Sequence, residues 1–202
     1  MPALTADRTP GQLVAELERL IGVDWPTVWA GVPEDAEKRA RWCAGFDWRP
    51  LWAEAGLRVR TALGGRLYLA SATPGGPVTR IDHTVWSARA RDTAENALVT
   101  TSAEARWTAG LAALRGLLGN PAWTGTWDMP DFPELPGRGS WYSPQWRLEH
   151  HDPYRTAVWR YRTPGAPVIE LKSMLGTGSN LSAPADARIE LSCHGPSATR
   201  WP

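Results

Sequence analysis

The chain has 202 residues, and its 22 Lys and Arg against 21 Asp and Glu leave a net charge of +1. A charge this close to zero excludes a histone-like polycation and an acidic tail protein. The 13 Trp supply apolar area in a chain with only two Phe, so we expect one folded domain, residues 1–202, with a tryptophan-rich core.

The N-terminal part, residues 9–45, is predicted to be helical. Thr9 followed by Pro10 is typical of a helix start, because Thr caps a helix and Pro suits its first position. A second helix is predicted to open at Pro33 and to end before Gly45. Apolar residues recur with helical spacing in the first helix: Leu13, Val14, Leu17, Leu20 and Ile21.

Residues 57–89 are predicted to form a meander of three antiparallel strands. Apolar and polar residues alternate over residues 57–63 and over residues 66–73, and Val78–Arg89 reads as a longer strand. Gly64 and Gly65 form a two-residue hairpin signal between the first two of these segments.

A helix is predicted over residues 102–118. Thr101 and Glu104 have the spacing of a capping box, and Gly119 ends the pattern. The helix places four large apolar residues on one face: Trp107, Leu111, Leu114 and Leu118.

The last part, residues 145–194, is predicted to contain four strands, over residues 146–151, 155–162, 166–173 and 188–194. Runs of strands between separate helices indicate an α+β protein, an antiparallel sheet with helices packed on one face. The predicted order is α-α-β-β-β-α-β-β-β-β.

Charged side chains of the last part are predicted to share one solvated sheet face. Basic residues (Arg147, Arg160, Arg162, Lys172 and Arg188) alternate there with Glu149, Glu170 and Glu190. Opposite charges side by side favour cross-strand pairs over a phosphate-binding track, so no nucleic-acid partner is predicted. Cys193, on the other face, is expected to be a small buried residue.

The sequence predicts no catalytic residue, no cofactor and no metal, and therefore no enzyme. His150 and His151 would point to opposite faces of a predicted strand and could not share one ion. Motifs for a nucleophile elbow, a dinucleotide, a phosphate-binding loop or a CxxC pair are missing. The enzymatic alternative is a hydrolase or transferase that uses His150, His83 or His194.

Residues 1–8 lack the basic and apolar pattern of a signal peptide, and no apolar stretch reaches the length of a membrane span. We therefore expect a cytoplasmic protein without a membrane partner.

Residues 119–144 are predicted to be an aperiodic loop that binds a partner. Loops longer than about 12–15 residues are uncommon in compact domains and are usually functional or disordered. Aromatic anchors beside charges are typical of interface hot spots. The candidate residues are Trp123, Trp127, Asp128, Asp131, Phe132, Glu134, Trp141 and Tyr142. The alternative is that these Trp side chains patch the core.

Several segments resemble a family of small, uncharacterised actinobacterial proteins. The resemblance spans roughly residues 23–194 and departs from the family by an insertion at 122–144. It rests on Val23-Asp24-Trp25, Val32-Pro33, Gly45-Phe46-Asp47-Trp48, residues 114–121 and Val158-Trp159-Arg160. It implies an immunity partner of a polymorphic toxin and carries over no catalytic residue.

The sequence thus favours a non-enzymatic immunity protein that binds and neutralises a cognate protein toxin. The hydrolase or transferase and a structural or adaptor module are the alternatives. Missing motifs favour binding over catalysis, and the tryptophan-rich loop favours a protein partner.

Overall fold

The computed structural model describes residues 1–53, 56–132, 143–163, 165–176 and 183–195. Nine strands within these ranges form one antiparallel sheet, with helices between them. The strands are β1 (Ala3–Asp7), β2 (Trp48–Ala53), β3 (Gly56–Thr61), β4 (Arg66–Ser71), β5 (Val78–Arg89), β6 (Trp123–Thr126), β7 (Arg155–Trp159), β8 (Val168–Leu175) and β9 (Asp186–His194). The helices are α1 (Pro10–Ile21), α2 (Trp25–Ala30), α3 (Ala36–Ala44), α4 (Asn96–Leu118) and α5 (Pro144–His150).

The strand order is β2-β3-β4-β5-β9-β8-β7-β6, and β1 pairs with the far end of β5. Two meanders, β2 to β5 and β6 to β9, therefore meet where β5 pairs with β9. The predicted α+β class and the predicted three-strand meander are confirmed, and β5 has the predicted bounds.

Helices α1 to α4 share one apolar core with the sheet. Thr9 caps α1 in a capping box with Gln12, and α4 buries one stripe of side chains against the strands. That stripe is Val99, Ala103, Trp107, Gly110 and Leu114. The sheet contributes a row of buried, paired residues to the same core. These residues are Leu57, Leu69, Ile81, Cys193, Ile169 and Trp159. The expected burial of Cys193 is confirmed.

The predicted helix over residues 102–118 begins earlier, at Asn96. Thr101 lies inside α4, and no side chain caps its N-terminus. Val99 is fully buried, so the apolar stripe reaches a turn upstream of the predicted start and holds that turn against the core.

The predicted strand over residues 146–151 is wrong, because this segment forms α5. The Ser143 side chain accepts a hydrogen bond from the Trp146 backbone, and Pro144 occupies the first turn. A capping Ser followed by Pro is a helix start, and it outweighs the short alternation of apolar residues that follows.

The prediction that residues 119–144 are an aperiodic loop is wrong at its start. Residues 123–126 form β6, which pairs with β7 at the edge of the sheet. Gly125 and two Thr leave β6 with little apolar alternation, so the periodicity did not indicate a strand. Residues 133–142 of the predicted loop lie outside the described residues.

No helix in the described ranges has both the length and the apolar character that a membrane-spanning helix needs.

Candidate functional site

A groove of about 920 Å³ lies on the sheet face that α1 to α4 do not cover. Its floor is formed by side chains of β4, β5, β8 and β9. Residues of β1 line it as well, together with Phe132 and with Trp146 and Arg147 of α5. A concave cavity of this size is in the range that proteins use for ligand or partner recognition.

One row of side chains crosses the whole sheet on the groove face. Residues paired in neighbouring antiparallel strands point to the same side of the sheet. The pairing aligns Trp52, Arg58, Tyr68, Asp82, Ser192, Glu170, Val158 and Trp123. The row runs from aromatic and basic residues through a polar centre to the Trp of β6.

The centre of the groove holds carboxylates that are all paired. Asp82 contacts the Arg80 guanidinium at 2.7 Å and accepts a hydrogen bond of 2.7 Å from Ser192. The Glu170 carboxylate lies 2.8 Å from His194 Nε2 and accepts a 3.0 Å bond from Thr156. The prediction of an ordinary solvated face is wrong for two of its residues, because Glu170 and Glu190 are buried.

A second row continues this pairing. Lys172 Nζ lies 3.2 Å from one Glu190 oxygen, and Arg188 Nε lies 3.6 Å from the other. Arg147, predicted to share this face, instead belongs to α5 and places its guanidinium over the Phe132 ring at 4.4 Å. Arg160 and Arg162 follow the end of β7 and are not part of its face.

Opposing effects set the pKa of Glu170. Burial raises it, but the hydrogen bond from His194 and the nearby Lys172 charge outweigh burial and hold the pKa at about 2. For Lys172, burial lowers the pKa, and the charges of Glu170 and Glu190 raise it above its ordinary value. Both groups are thus fixed charges near neutral pH and do not exchange protons there.

Asp152 is the groove-lining carboxyl with the opposite behaviour. It follows α5, and burial raises its pKa despite the nearby charges of Lys172 and Arg188. A carboxyl of this kind can take up a proton more readily than an exposed Asp.

Residues 123–132, which we name the tryptophan rim, border the groove through Phe132. The Trp123 indole donates a 3.2 Å hydrogen bond to Asp131 and meets the Phe132 ring edge-on at 5.2 Å. Trp127 stacks on His151 with ring centres 3.7 Å apart. These aromatic side chains are half-buried and hold the rim in place.

Five of the eight predicted partner-binding residues lie in the part of the chain that the structure describes. Asp128 and Asp131 are exposed, and Trp123, Trp127 and Phe132 are half-buried beside them. A hydrogen bond from Thr126 lowers the pKa of Asp128, which keeps it ionised. The structure thus brings these five together, whereas Glu134, Trp141 and Tyr142 lie outside the described residues.

The histidines of the enzymatic alternative do not converge. His83 and His194 both border the groove, but the strand pairing directs their side chains to opposite faces of the sheet. His83 pairs with Leu191 on the helix-covered face, where burial lowers its pKa, whereas His194 lies on the groove face. The expected strand geometry of His150 and His151 is wrong, because His150 ends α5 and stacks on Trp146 at 3.5 Å. Within the described ranges, no group of three or more His, Cys, Asp or Glu is arranged to hold a metal ion.

Sequence reasoning missed the groove and a set of arginines beside it. Arg58 and Arg60 alternate with buried residues in β3, as do Arg66 and Tyr68 in β4. That alternation separates the two faces of each strand. It does not show which face the helices cover, so these arginines were not predicted as a surface.

Comparisons with protein-family models, with curated proteins and with solved structures found no match. The function is therefore argued from the groove and its surroundings.

Proposed function

We propose that this chain is a non-enzymatic immunity protein that binds and neutralises a cognate protein toxin in the cytoplasm. The observation that carries the proposal is an ordered aromatic and acidic rim beside a groove whose central charges are already paired. Half-buried Trp side chains next to exposed carboxylates are typical of interface hot spots. The resemblance stated above supplies the class of partner.

The chemistry of the groove supports binding over catalysis. General acid–base catalysis needs a group that exchanges protons near the working pH. Glu170, with its pKa held at about 2, stays ionised, and raised pKa values keep Lys172 protonated. Fixed charges of this kind give orientation and specificity to a complex.

A second candidate is the hydrolase or transferase, favoured by one specific observation. Asp152, with its raised pKa, lines the same groove as the His194–Glu170 pair. Perturbed carboxyls in a cleft are candidates for acid–base catalysis. This alternative predicts a hydrolase or transferase activity that Asp152→Asn abolishes.

The test is to purify the chain with the toxin domain encoded beside its gene. The proposal expects a stoichiometric complex and loss of toxicity when the two are co-expressed. A gene neighbourhood without a toxin domain, or a purified pair that does not associate, would overturn it.

Trp127→Ala tests the tryptophan rim within that complex. Truncating an anchor at a hot spot typically costs about 2–4 kcal/mol of binding free energy. Trp29→Ala is the matched control, because Trp29 is also half-buried but stacks on Trp25 in the helical layer. If both variants lose thermal stability equally and neither loses affinity, the rim is packing and not an interface.

Asp128→Lys with Asp131→Lys tests the rim acids. We expect slower association and a changed salt dependence, because exposed interface charges act mainly on the association rate. The control, Glu18→Lys with Glu37→Lys, makes the same change in charge at exposed positions of α1 and α3. Equal association rates for the two double variants would exclude a role for the rim acids.

A further inference from the structure

Four exposed arginines cluster at the β2–β4 end of the groove face. Arg49 of β2 pairs with Arg60 of β3, and Arg60 pairs with Arg66 of β4, so the three lie side by side across three strands. Arg58 lies two residues before Arg60 on the same face of β3. We name Arg49, Arg58, Arg60 and Arg66 the arginine row.

Within the part of the chain that the structure describes, the positive charges of the arginine row are not compensated by acidic side chains, unlike the charges at the centre of the groove. Among the described residues, none of these four arginines forms a salt bridge. Neighbouring strands lie about 4.8 Å apart, so the like charges repel one another within a Debye length of about 8 Å. An anion that contacts several of these arginines at once reduces the repulsion between them.

Aromatic side chains hold one member of the row in position. The Arg58 guanidinium lies over Trp52 at 5.8 Å and over Tyr68 at 5.1 Å. Cation–π contacts of this kind restrict the side chain and leave the edge of the guanidinium able to donate hydrogen bonds. Arg58 is therefore oriented before any ligand arrives.

The same contacts distinguish between two kinds of anion. Single-stranded nucleic acid is bound by aromatic rings on which successive bases stack. Here Trp52 and Tyr68 are engaged by Arg58, and the net charge of the chain is only +1. A row of guanidinium groups without free stacking rings suits carboxylates, which Arg binds in a bidentate manner.

We propose that the arginine row binds an acidic segment of a protein partner, whose Asp or Glu side chains pair with Arg49, Arg58, Arg60 and Arg66. The row spans about 10 Å across the strands, which matches three or four residues of extended chain at about 3.3 Å each. This inference rests on the proposed function and names the partner chemistry at one end of the same face.

The test uses a fluorescein-labelled decaglutamate peptide as the probe, with fluorescence anisotropy as the readout at about 20 and 150 mM salt. The full chain is expected to bind the peptide and to lose affinity as salt rises. Arg60→Gln with Arg66→Gln should weaken binding about tenfold, because two charge-assisted contacts are lost. The control, Lys38→Gln with Arg115→Gln, removes the same charge at exposed positions of α3 and α4.

Equal affinity of the two double variants, or a decaglutamine peptide that binds as tightly, would overturn the proposal. A decathymidylate probe that binds the arginine row more tightly than decaglutamate would also overturn it, in favour of nucleic acid. The toxin complex separates this inference from the proposed function. A complex that forms and is insensitive to the Arg60 and Arg66 changes refutes the arginine row alone. Arginine-dependent peptide binding without any toxin complex supports the arginine row and refutes the immunity function.

Discussion

Replacing Glu170 by Gln removes the most deeply buried charge of the groove while keeping its shape. Glu170 is 4% exposed and contacts His194 and Thr156 at 2.8 and 3.0 Å. Removing one partner of a buried charge network costs about 3–5 kcal/mol, because a largely buried group such as Lys172 then loses a counter-charge. Gln keeps part of the hydrogen bonding, so we expect a loss of about 2–4 kcal/mol at pH 7.

The pH dependence gives a sharper version of this prediction. The pKa of Glu170 falls from 4.5 in the unfolded chain to about 2 in the folded protein, which corresponds to roughly 3 kcal/mol. A carboxyl with a depressed folded pKa stabilises the fold above its unfolded pKa. That stability is lost as the pH falls toward the folded pKa. The stability difference between wild type and Glu170→Gln should therefore shrink by about 2 kcal/mol between pH 7 and pH 3.

Urea unfolding followed by tryptophan fluorescence at several pH values measures this difference. Subtracting the variant from the wild type cancels the titration of the carboxyls that do not interact with Glu170. Glu37→Gln is the control, because Glu37 is exposed and its pair with Arg41 should contribute less than about 1 kcal/mol at any pH. Parallel stability curves for wild type and Glu170→Gln would refute the assignment of Glu170 as a fixed buried charge.

Two further substitutions test the packing around the sheet. Leu114→Ala should lower the unfolding free energy by about 2–5 kcal/mol, because Leu114 is fully buried in the α4 stripe, whereas Leu98→Ala at a 52% exposed position should change it little. Equal effects of these two changes would contradict the placement of α4. Gly56→Ala should cost more than about 1 kcal/mol, because Gly56 has φ +143° and an added Cβ would lie 2.7 Å from the Leu69 carbonyl oxygen. Gly116→Ala, in an open helical position, should instead stabilise by up to about 1 kcal/mol, so thermal unfolding of the two Gly→Ala variants should shift in opposite directions.

Elements with long periodic patterns were predictable from the sequence. The helical stripe through Trp107 and Leu114 extends over many residues, and α4 covers the predicted residues 102–118 but begins earlier, at Asn96. The long strand β5 has the predicted bounds, although its apolar and polar residues do not alternate strictly. Short elements were not predictable in this way. β6 has four residues and α5 has seven. In α5, the alternation of Trp146 and Leu148 with polar residues indicated a strand, although Ser143 before it is a helix cap.

The groove depends on information that a single strand does not contain. In β8, the four residues from Val168 to Leu171 are all buried, so burial does not alternate along this strand. The side of the strand that carries Glu170 is therefore as buried as the side that faces the helices. Only the pairing of β8 with β9 and the position of α4 show that Glu170 points away from the helices. The five described rim residues were predictable as a cluster because they are close in sequence. The arginine row was not, because its members come from three strands.

The paired charges of the groove lie at the seam between the two meanders. Asp82 belongs to β5, whereas Ser192 and His194 belong to β9, and the Ser192–Asp82 hydrogen bond joins the two halves directly. A slip of one residue between β5 and β9 would turn these polar side chains into the helix-covered core, where unpaired polar groups cost several kcal/mol each. The buried charges thus specify the register of the central strands. Because the central charges have this structural role, the charges available to bind a partner lie on the two flanks of the groove. These flanks are the arginine row and the tryptophan rim.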